Sequence, residues 1–492
     1  MSDKVPIRKL PSGVPRLDEV LGGGIPEFSF NLIAGGPGGG KTTLAHQIMF
    51  ANASAERKAV YFSIIGEPPI KMLRYQQQYD FFDAEKVGDG TIRFIHLGQR
   101  ALEGGMAEVL DAIVQEIETS SPAIVVVDSF RALMRSTLDA GPGGERELTD
   151  FVQRLALVLT SYEATTFLIG EYADGAHDNA VFTVADGLLW LYQAVDRNSV
   201  VRKLQVVKMR GQGQIPGLHT ARITDAGYIV FPRLLKSAEV VTEHPLKRRL
   251  STGSPGIDEL MGGGIPSGYS MLIAGPSGSG KTVLSNQFIV EGAARGENGI
   301  VAIFEKRPND YLQTTPRGKE FQKLVREKKL EVIYLRPLDL SIDETLLELQ
   351  SAVKRVGAKR AVIDSLSGLE LALAPTFRED FRESLYRMMG ALTGLGVTIM
   401  ATVEMADSYT GLRFSPHGVA FLTDAILMQR YVEIDGQLKR ALSIVKVRSS
   451  QHSKDLREYE ISPDGGIVVG GVLSGYEGIL TGTPTGGAVA GT

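Results

Sequence analysis

Two stretches of the chain place a lysine and a hydroxyl residue directly behind a run of glycines. They read Gly35-Gly36-Pro37-Gly38-Gly39-Gly40-Lys41-Thr42-Thr43 and Gly275-Pro276-Ser277-Gly278-Ser279-Gly280-Lys281-Thr282-Val283. Both fit G-x-x-x-x-G-K-[ST], the pattern of a loop that wraps a phosphate. Glycines let main-chain N–H groups turn inward around an anion where a Cβ would obstruct them. Lys41 and Lys281 are placed to reach the terminal phosphates, and the hydroxyls of Thr42 and Thr282 to hold Mg²⁺. A helix starting at the lysine adds favourable potential for the anion. The plain alternative is a glycine-rich turn between a strand and a helix. Two matches in equivalent surroundings argue against chance and for binding of ATP or ADP with Mg²⁺.

Other residues carry compatible chemistry. Asp128 and Asp364 each close a short apolar run (Val125-Val126-Val127-Asp128 and Ala361-Val362-Ile363-Asp364). At a strand end such an acid fits a magnesium-holding role or, alternatively, a helix N-cap. Hydrolysis also needs a carboxylate that orients water. Glu67 and Glu305 follow the next strand and are the candidates, Glu305 also for the metal; the alternative is a solvated charge. Glu171 and Glu404 end a later strand and are weaker candidates. Lys208-Met209-Arg210 and Lys446-Val447-Arg448 form a third matched pair. In a strand, residues i and i+2 share a face, so both cations project together, either as a solvated basic edge or toward a phosphate held by a neighbouring subunit. Trp190 reads as core. His219 and His452 stand alone, without a metal-ligand cluster.

The phosphate loops and the segments that lead into them recur 240 residues apart, Lys41 to Lys281. Short unbroken apolar runs alternate with segments of helical spacing such as Met106, Val109, Leu110, Ile113 and Ile117. That pattern predicts an α/β fold, two mostly parallel sheets with helices on both faces. Segments 186–192, 204–209 and 228–231 are expected as added strands, antiparallel, at one sheet edge, with 424–431 and 442–447 as their counterparts. The expected organisation is a domain over 1–235, a linker over 236–246, a second domain over 247–470 and a Gly-rich tail over 471–492.

With 492 residues the chain exceeds a single core. Hydrophobic residues make up 43% and the net charge is -4, so there is no global basic excess to hold nucleic acid. Absence of cysteine excludes disulfides and thiolate chemistry. The N-terminus has no apolar core of a signal peptide and no run reaches membrane-spanning length, so a cytoplasmic protein is expected.

Taken together, these residues resemble the KaiC family, double-domain relatives of the RecA ATPases. The similarity covers nearly the whole chain in register: Ser12-Gly13 with Leu17-Asp18, Leu21-Gly22-Gly23-Gly24, both phosphate loops, Val127-Asp128-Ser129, Lys208 with Arg210-Gly211, Ile363-Asp364-Ser365, Thr423-Asp424, Tyr431-Val432-Glu433-Ile434, and Lys446 with Arg448. The resemblance implies two tandem RecA-like P-loop domains in a homo-hexamer of two stacked rings, with ATP and Mg²⁺ at each subunit boundary. It further implies that Lys208, Arg210, Thr224 and Asp225 touch nucleotide across the N-terminal ring, and that Arg440, Lys446, Arg448, His452 and Lys454 do so in the C-terminal ring. The N-terminal half would be an ATPase; the family's C-terminal half is, in the clock protein, a Ser/Thr autokinase.

Three departures matter. Ala420-Phe421 stand where the clock protein carries its phosphoacceptor Ser-Thr pair, with Ser415 and Thr423 the nearby hydroxyls. The family's adjacent glutamates are reduced to Gly66-Glu67 and Glu305-Lys306. The KaiA-binding extension is replaced by a short Gly/Ala end, so a KaiA partner is not expected and a KaiB-like partner is left open. Two rival readings are a DNA-dependent recombinase or helicase, which the acid-leaning charge argues against, and an ATP-gated scaffold without turnover.

Overall fold

The computed structural model describes residues 6–64, 69–128, 143–172, 180–196, 199–233, 248–315, 317–335, 340–373, 381–405, 422–434, 436–477 and 485–486. The chain forms two compact units, 1–233 and 234–492. Among the described residues no helix is long and apolar enough to cross a membrane.

In the first unit the strands are Phe30–Gly35 (β1), Ala59–Ser63 (β2), Ile92–His96 (β3), Ile124–Asp128 (β4), Thr165–Glu171 (β5), Gly187–Asp196 (β6), Ser199–Met209 (β7), His219–Thr224 (β8) and Gly227–Phe231 (β9). They form one sheet in the order β9-β8-β7-β6-β1-β5-β4-β2-β3. Strands β1 to β6 run parallel, and β6 to β9 are joined by antiparallel pairs. Strands β1, β2 and β4 are buried on both faces except at Asp128, which is why they read as continuous apolar runs. One face packs Val60, Phe62, Val125 and Val127 under the helices Gly98–Ser120 and Gly143–Ser161. The other packs Ile33, Tyr61, Val126 and Ile169 under Lys41–Asn52 (α1). Helix α1 is buried on nearly every side, from Leu44 to Phe50, as expected of a helix enclosed by its domain.

The second unit repeats this with Ser270–Gly275 (β10), Gly299–Ile303 (β11), Leu330–Tyr334 (β12), Arg360–Asp364 (β13), Thr398–Glu404 (β14), Ala425–Ile434 (β15), Gln437–Val447 (β16), Arg457–Ile461 (β17) and Ile467–Val472 (β18). The order is β12-β11-β13-β14-β10-β15-β16-β17-β18. Helix Lys281–Ala294 (α2) follows the phosphate loop, and Pro308–Thr314 (α3) follows Glu305-Lys306.

Two expectations need correction. Strand β6 runs parallel to β1, not antiparallel, because its chain arrives by a crossover from β5; only its partner β7 turns back. That hairpin is also longer than expected, pairing Gly187 with Met209 through to Asp196 with Ser199. Strands β8, β17 and β18 are not fully legible in the sequence. Their exposed faces carry polar or charged residues such as Arg222 and Glu460, which breaks the apolar run that marks a buried strand.

Candidate functional site

Both phosphate loops connect the C-terminal end of a central strand to a buried helix. Gly38 and Gly40 have φ of 75° and 92°, and Gly278 and Gly280 have 76° and 99°, the left-handed region that glycine tolerates. A Cβ on Gly38 would collide with the Gln193 side chain, and one on Gly40 with Ile223 and Tyr228. Gly35, Gly36 and Gly39, and likewise Gly275 and Ser277, complete the two turns. Lys41 Nζ donates to the Gly36 carbonyl at 2.7 Å. Lys281 Nζ donates to Gly275 and Pro276 carbonyls at 2.9 and 2.7 Å. Burial lowers the pKa of both lysines, opposed by Glu171 and Asp128 around Lys41 and by Glu404, Asp364 and Glu305 around Lys281. Thr43 and Val283 lie in the first helical turn, nearly buried. Ser279 turns its hydroxyl to Gln429 Oε1 at 3.0 Å, so only its main chain faces the loop.

The acids sit where the threonines need them. Thr42 Oγ1 donates to Asp128 Oδ2 at 2.9 Å, and Thr282 Oγ1 to Asp364 Oδ2 at 2.9 Å. Burial raises the pKa of Asp128, against the pull of Tyr61, Thr42 and Lys41. The N-cap of helix Leu366–Ala372 is Ser365, whose Oγ accepts from Gly368 N, so Asp364 is not spent on that cap. Glu305 is exposed, and its Oε1 accepts from Ser365 Oγ at 3.2 Å. Lys281, Thr282, Glu305, Lys306, Asp364 and Glu404 share a cavity of about 360 Å³. Glu67, Ser129, Ser415, Ala420 and Phe421 lie outside the described residues.

Strand register sorts the cations. Lys208 pairs with Leu188, and Leu188 with Leu32, three residues short of Gly35. Lys208 is therefore about 10 Å along the strand from its own phosphate loop, and its Nζ turns further away, to the Ala185 carbonyl at 2.6 Å. Arg210 lies beyond it, exposed and paired with Asp186 at 2.9 Å. Lys446 donates to the Thr423 carbonyl at 2.6 Å, and Arg448 pairs with Asp424 at 3.2 Å, at the same end of the second sheet. His452 and Lys454 follow in a stretch tied down by Ser453 N to the Leu260 carbonyl. Thr224 and Asp225, grouped with Lys208 by the resemblance, stand at the other end. Their turn abuts Gly40 through Ile223 and Tyr228, and Tyr228 N donates to Gln47 of α1. Arg440 also stands at the loop end, its guanidinium 5.7 Å from the Tyr431 ring that faces Gly278. The two ends of the antiparallel strands β7 and β8, and of β16 in the second unit, thus hold groups that the resemblance alone places together.

A family model described as "ATPase: KaiC" matches residues 10–234 and again 250–473. The chain belongs to the KaiC family of ATPases. It is similar to the circadian clock oscillator protein KaiC of Picosynechococcus sp., with 27% identity over 97% of this chain and 93% of that one. Similarity to KaiC of Synechococcus elongatus is 26% over 98% and 93%, and to KaiC of Prochlorococcus marinus 26% over 98% and 97%.

As a KaiC-family ATPase the chain binds ATP, and the loops fit that ligand: each is a turn whose glycines keep side chains out, with a half-buried ammonium folded over it. The residues also fit magnesium. Thr42 with Asp128, and Thr282 with Asp364, offer the hard oxygen donors that this ion prefers. Among the described residues no cluster of three His, Asp or Glu side chains forms a cage; magnesium characteristically takes its remaining ligands from water and substrate phosphates. Residues that sequence reading missed are Tyr61, Thr402 and Arg202. Tyr61 and Thr402 donate to the two acids, and Arg202 Nε donates to the Gly38 carbonyl at 3.0 Å. Tyr61 and Thr402 lie in apolar runs that read as core. Arg202 falls in a stretch not assigned to a strand; its register opposite Gln193 matches that of Arg440 opposite Tyr431, a signal visible only once the hairpins are aligned.

Proposed function

We propose that this KaiC-family ATPase works as a ring of six chains in which each magnesium nucleotide is gripped by one chain and completed by the next. The supporting observation is the register of Lys208 and Arg210. They lie toward the end of the sheet opposite their own phosphate loop, and Arg210 is exposed there. Arg210 and Arg448 are held by surface ion pairs of small worth, easily exchanged for a phosphate. His452 and Lys454 would join Lys446 and Arg448 in trans, whereas Thr224, Asp225 and Arg440 would serve the nucleotide of their own chain.

Within a site the main-chain amides of the loop bind the phosphates, and Lys41 or Lys281 swings from its carbonyl partners onto the terminal one. Thr42 with Asp128, and Thr282 with Asp364, would hold magnesium, which supplies charge neutralisation to the triphosphate. Glu305 orients water and takes its proton, with Glu67 in the same role in the first unit. Because Ala420-Phe421 offer no hydroxyl, turnover rather than autophosphorylation is the proposed output, read out as ring conformation in the cytoplasm. The clock role named for the relatives extends to this chain only in that sense, with a KaiB-like protein as the candidate reader.

The test is complementation. Chains carrying Lys41→Ala with Lys281→Ala, and chains carrying Arg210→Ala with Arg448→Ala, should each turn over little ATP. Co-expressed and purified together, they should recover a sizeable fraction, since the first supplies arginines to loops of the second. Turnover no greater than the sum of the two separate preparations would rule out shared sites.

A further inference from the structure

The two magnesium-side acids are held by different second hydroxyls. Strand β4, which carries Asp128, lies between β5 and β2; strand β13, which carries Asp364, lies between β14 and β11. In the first unit Tyr61 of β2 donates to Asp128 Oδ2 at 2.5 Å. In the second, Thr402 of β14 donates to Asp364 Oδ1 at 2.6 Å. The register shows that each unit has an apolar residue where the other has its anchor. Ile169 pairs with Ile33 as Thr402 pairs with Ile273. Val301 pairs with Val362 as Tyr61 pairs with Val126. Each acid therefore has one such anchor, from opposite neighbouring strands.

We propose that Tyr61 and Thr402 are positioning residues with the same role. Each fixes the orientation of the acid that faces magnesium, independently of the loop threonine. This rests on the reading of both loops as magnesium-nucleotide sites. A loop threonine can donate its O–H to the acid while a lone pair faces the ion, but its hold on the acid is then tied to the metal. A partner that is not itself a ligand keeps the carboxylate in place before and after the metal arrives, and such outer partners commonly govern metal affinity. Both anchors are rigid. Tyr61 is buried, with its ring 4.6 Å from His46 and 5.4 Å from Phe94. Thr402 is buried in a central strand and β-branched. Each hydroxyl has its aspartate as hydrogen-bond partner, and a buried hydroxyl left without one is costly.

The experiment transplants the anchor. In full-length protein with Lys281→Ala, the first site is read alone by retention of a fluorescent ATP analogue as Mg²⁺ is varied, with metal-free binding as the baseline. Tyr61→Phe should raise the Mg²⁺ needed for half-maximal retention by about 10-fold or more, leaving the baseline unchanged. Adding Ile169→Thr should bring it back to within about threefold, since an oxygen then reaches Asp128 from β5 as Thr402 reaches Asp364 from β14. In protein with Lys41→Ala, Thr402→Val should raise the requirement similarly and Thr402→Ser should not. If Tyr61→Phe fails to fold, the Thr402 pair decides. An unchanged requirement in Tyr61→Phe or Thr402→Val, or no recovery with Ile169→Thr, overturns the proposal. Retention that ignores Mg²⁺ in the parent proteins would instead sink the magnesium part of that reading, and this inference with it, while leaving nucleotide binding in place.

Discussion

The two halves present the same cradle over different wiring. Five residues past the loop lysine, the first half has His46 and the second Asn286. His46 is wholly buried against Tyr61 and Phe94, a dry aromatic contact. Asn286 is part of a polar chain: Tyr311 OH donates to its Oδ1 at 2.6 Å, and its Nδ2 donates to Thr315 Oγ1. Tyr311 and Thr315 belong to α3 and its C-cap, so the loop helix α2 holds the helix that begins just after Glu305-Lys306. The difference teaches which parts are free to vary. A phosphate demands a loop of inward amides, one ammonium and an oxygen pair for the metal; what lies behind them need only be satisfied, by packing or by hydrogen bonds.

The largest expected effect breaks the two halves apart. Lys41→Ala should abolish nucleotide retention in the first unit and Lys281→Ala in the second, each halving the ATP bound per chain by mass or absorbance. Full occupancy in either variant would mean that the loops are not equivalent sites. Next in size is turnover. Glu305→Gln should slow hydrolysis in the second unit by about 100-fold or more, measured in the Lys41→Ala background. Little change there would favour a scaffold that binds ATP without consuming it, with Lys306 beside the acid as the natural suspect.

The buried histidine sharpens the comparison through pH. Burial drives the pKa of His46 from 6.5 to about 4, with a small opposing pull from Gln76. Between those values the unfolded chain binds a proton that the folded chain refuses. The stability present above pH 6.5 is therefore lost progressively as pH falls toward 4. At about 1.4 kcal/mol per unit this amounts to roughly 2 kcal/mol by pH 5. The second unit has the non-titrating Asn286 in that place. Thermal unfolding of the first unit should lose this part of its acid sensitivity in His46→Leu. Identical midpoint shifts between pH 7 and pH 5 in parent and variant would contradict it.

Much of the site was legible because it is local. The glycines, lysine and threonine of each loop lie within one turn, and Asp128 or Asp364 closes an apolar run that only a doubly covered strand requires. What stayed hidden depends on pairing between distant strands. Tyr61 and Thr402 look like core until the sheet order sets them beside the acids. Nothing in the spacing of Lys208 and Thr224 reveals that they sit at opposite ends of a sheet; the hairpin between them has to be folded first. Only the apolar half of strand β7 is legible, since Arg202 and Lys203 interrupt the run that marks the rest.

The smallest expected effect concerns that interruption. Arg202 and Arg440 occupy one place in their hairpins, opposite Gln193 and Tyr431, yet they act on the loop differently. Arg202 donates directly to the Gly38 carbonyl, whereas Arg440 lies over the Tyr431 ring, 5.7 Å from its centroid. A direct bond to a loop carbonyl restrains the main chain whose amides must face the phosphate; a cation over a ring restrains only a side chain beside it. Arg202→Ala should therefore weaken nucleotide retention in the first unit a few-fold, and Arg202→Lys should recover only part of it, because an ammonium lacks the planar fork. Through its hold on Tyr431 alone, Arg440→Ala should weaken the second unit less, and any loss beyond that measures the contact with its own chain's nucleotide proposed above. Equilibrium binding in the two single-site backgrounds separates these outcomes, and a larger loss for Arg440 than for Arg202 would place a direct nucleotide contact in the second half.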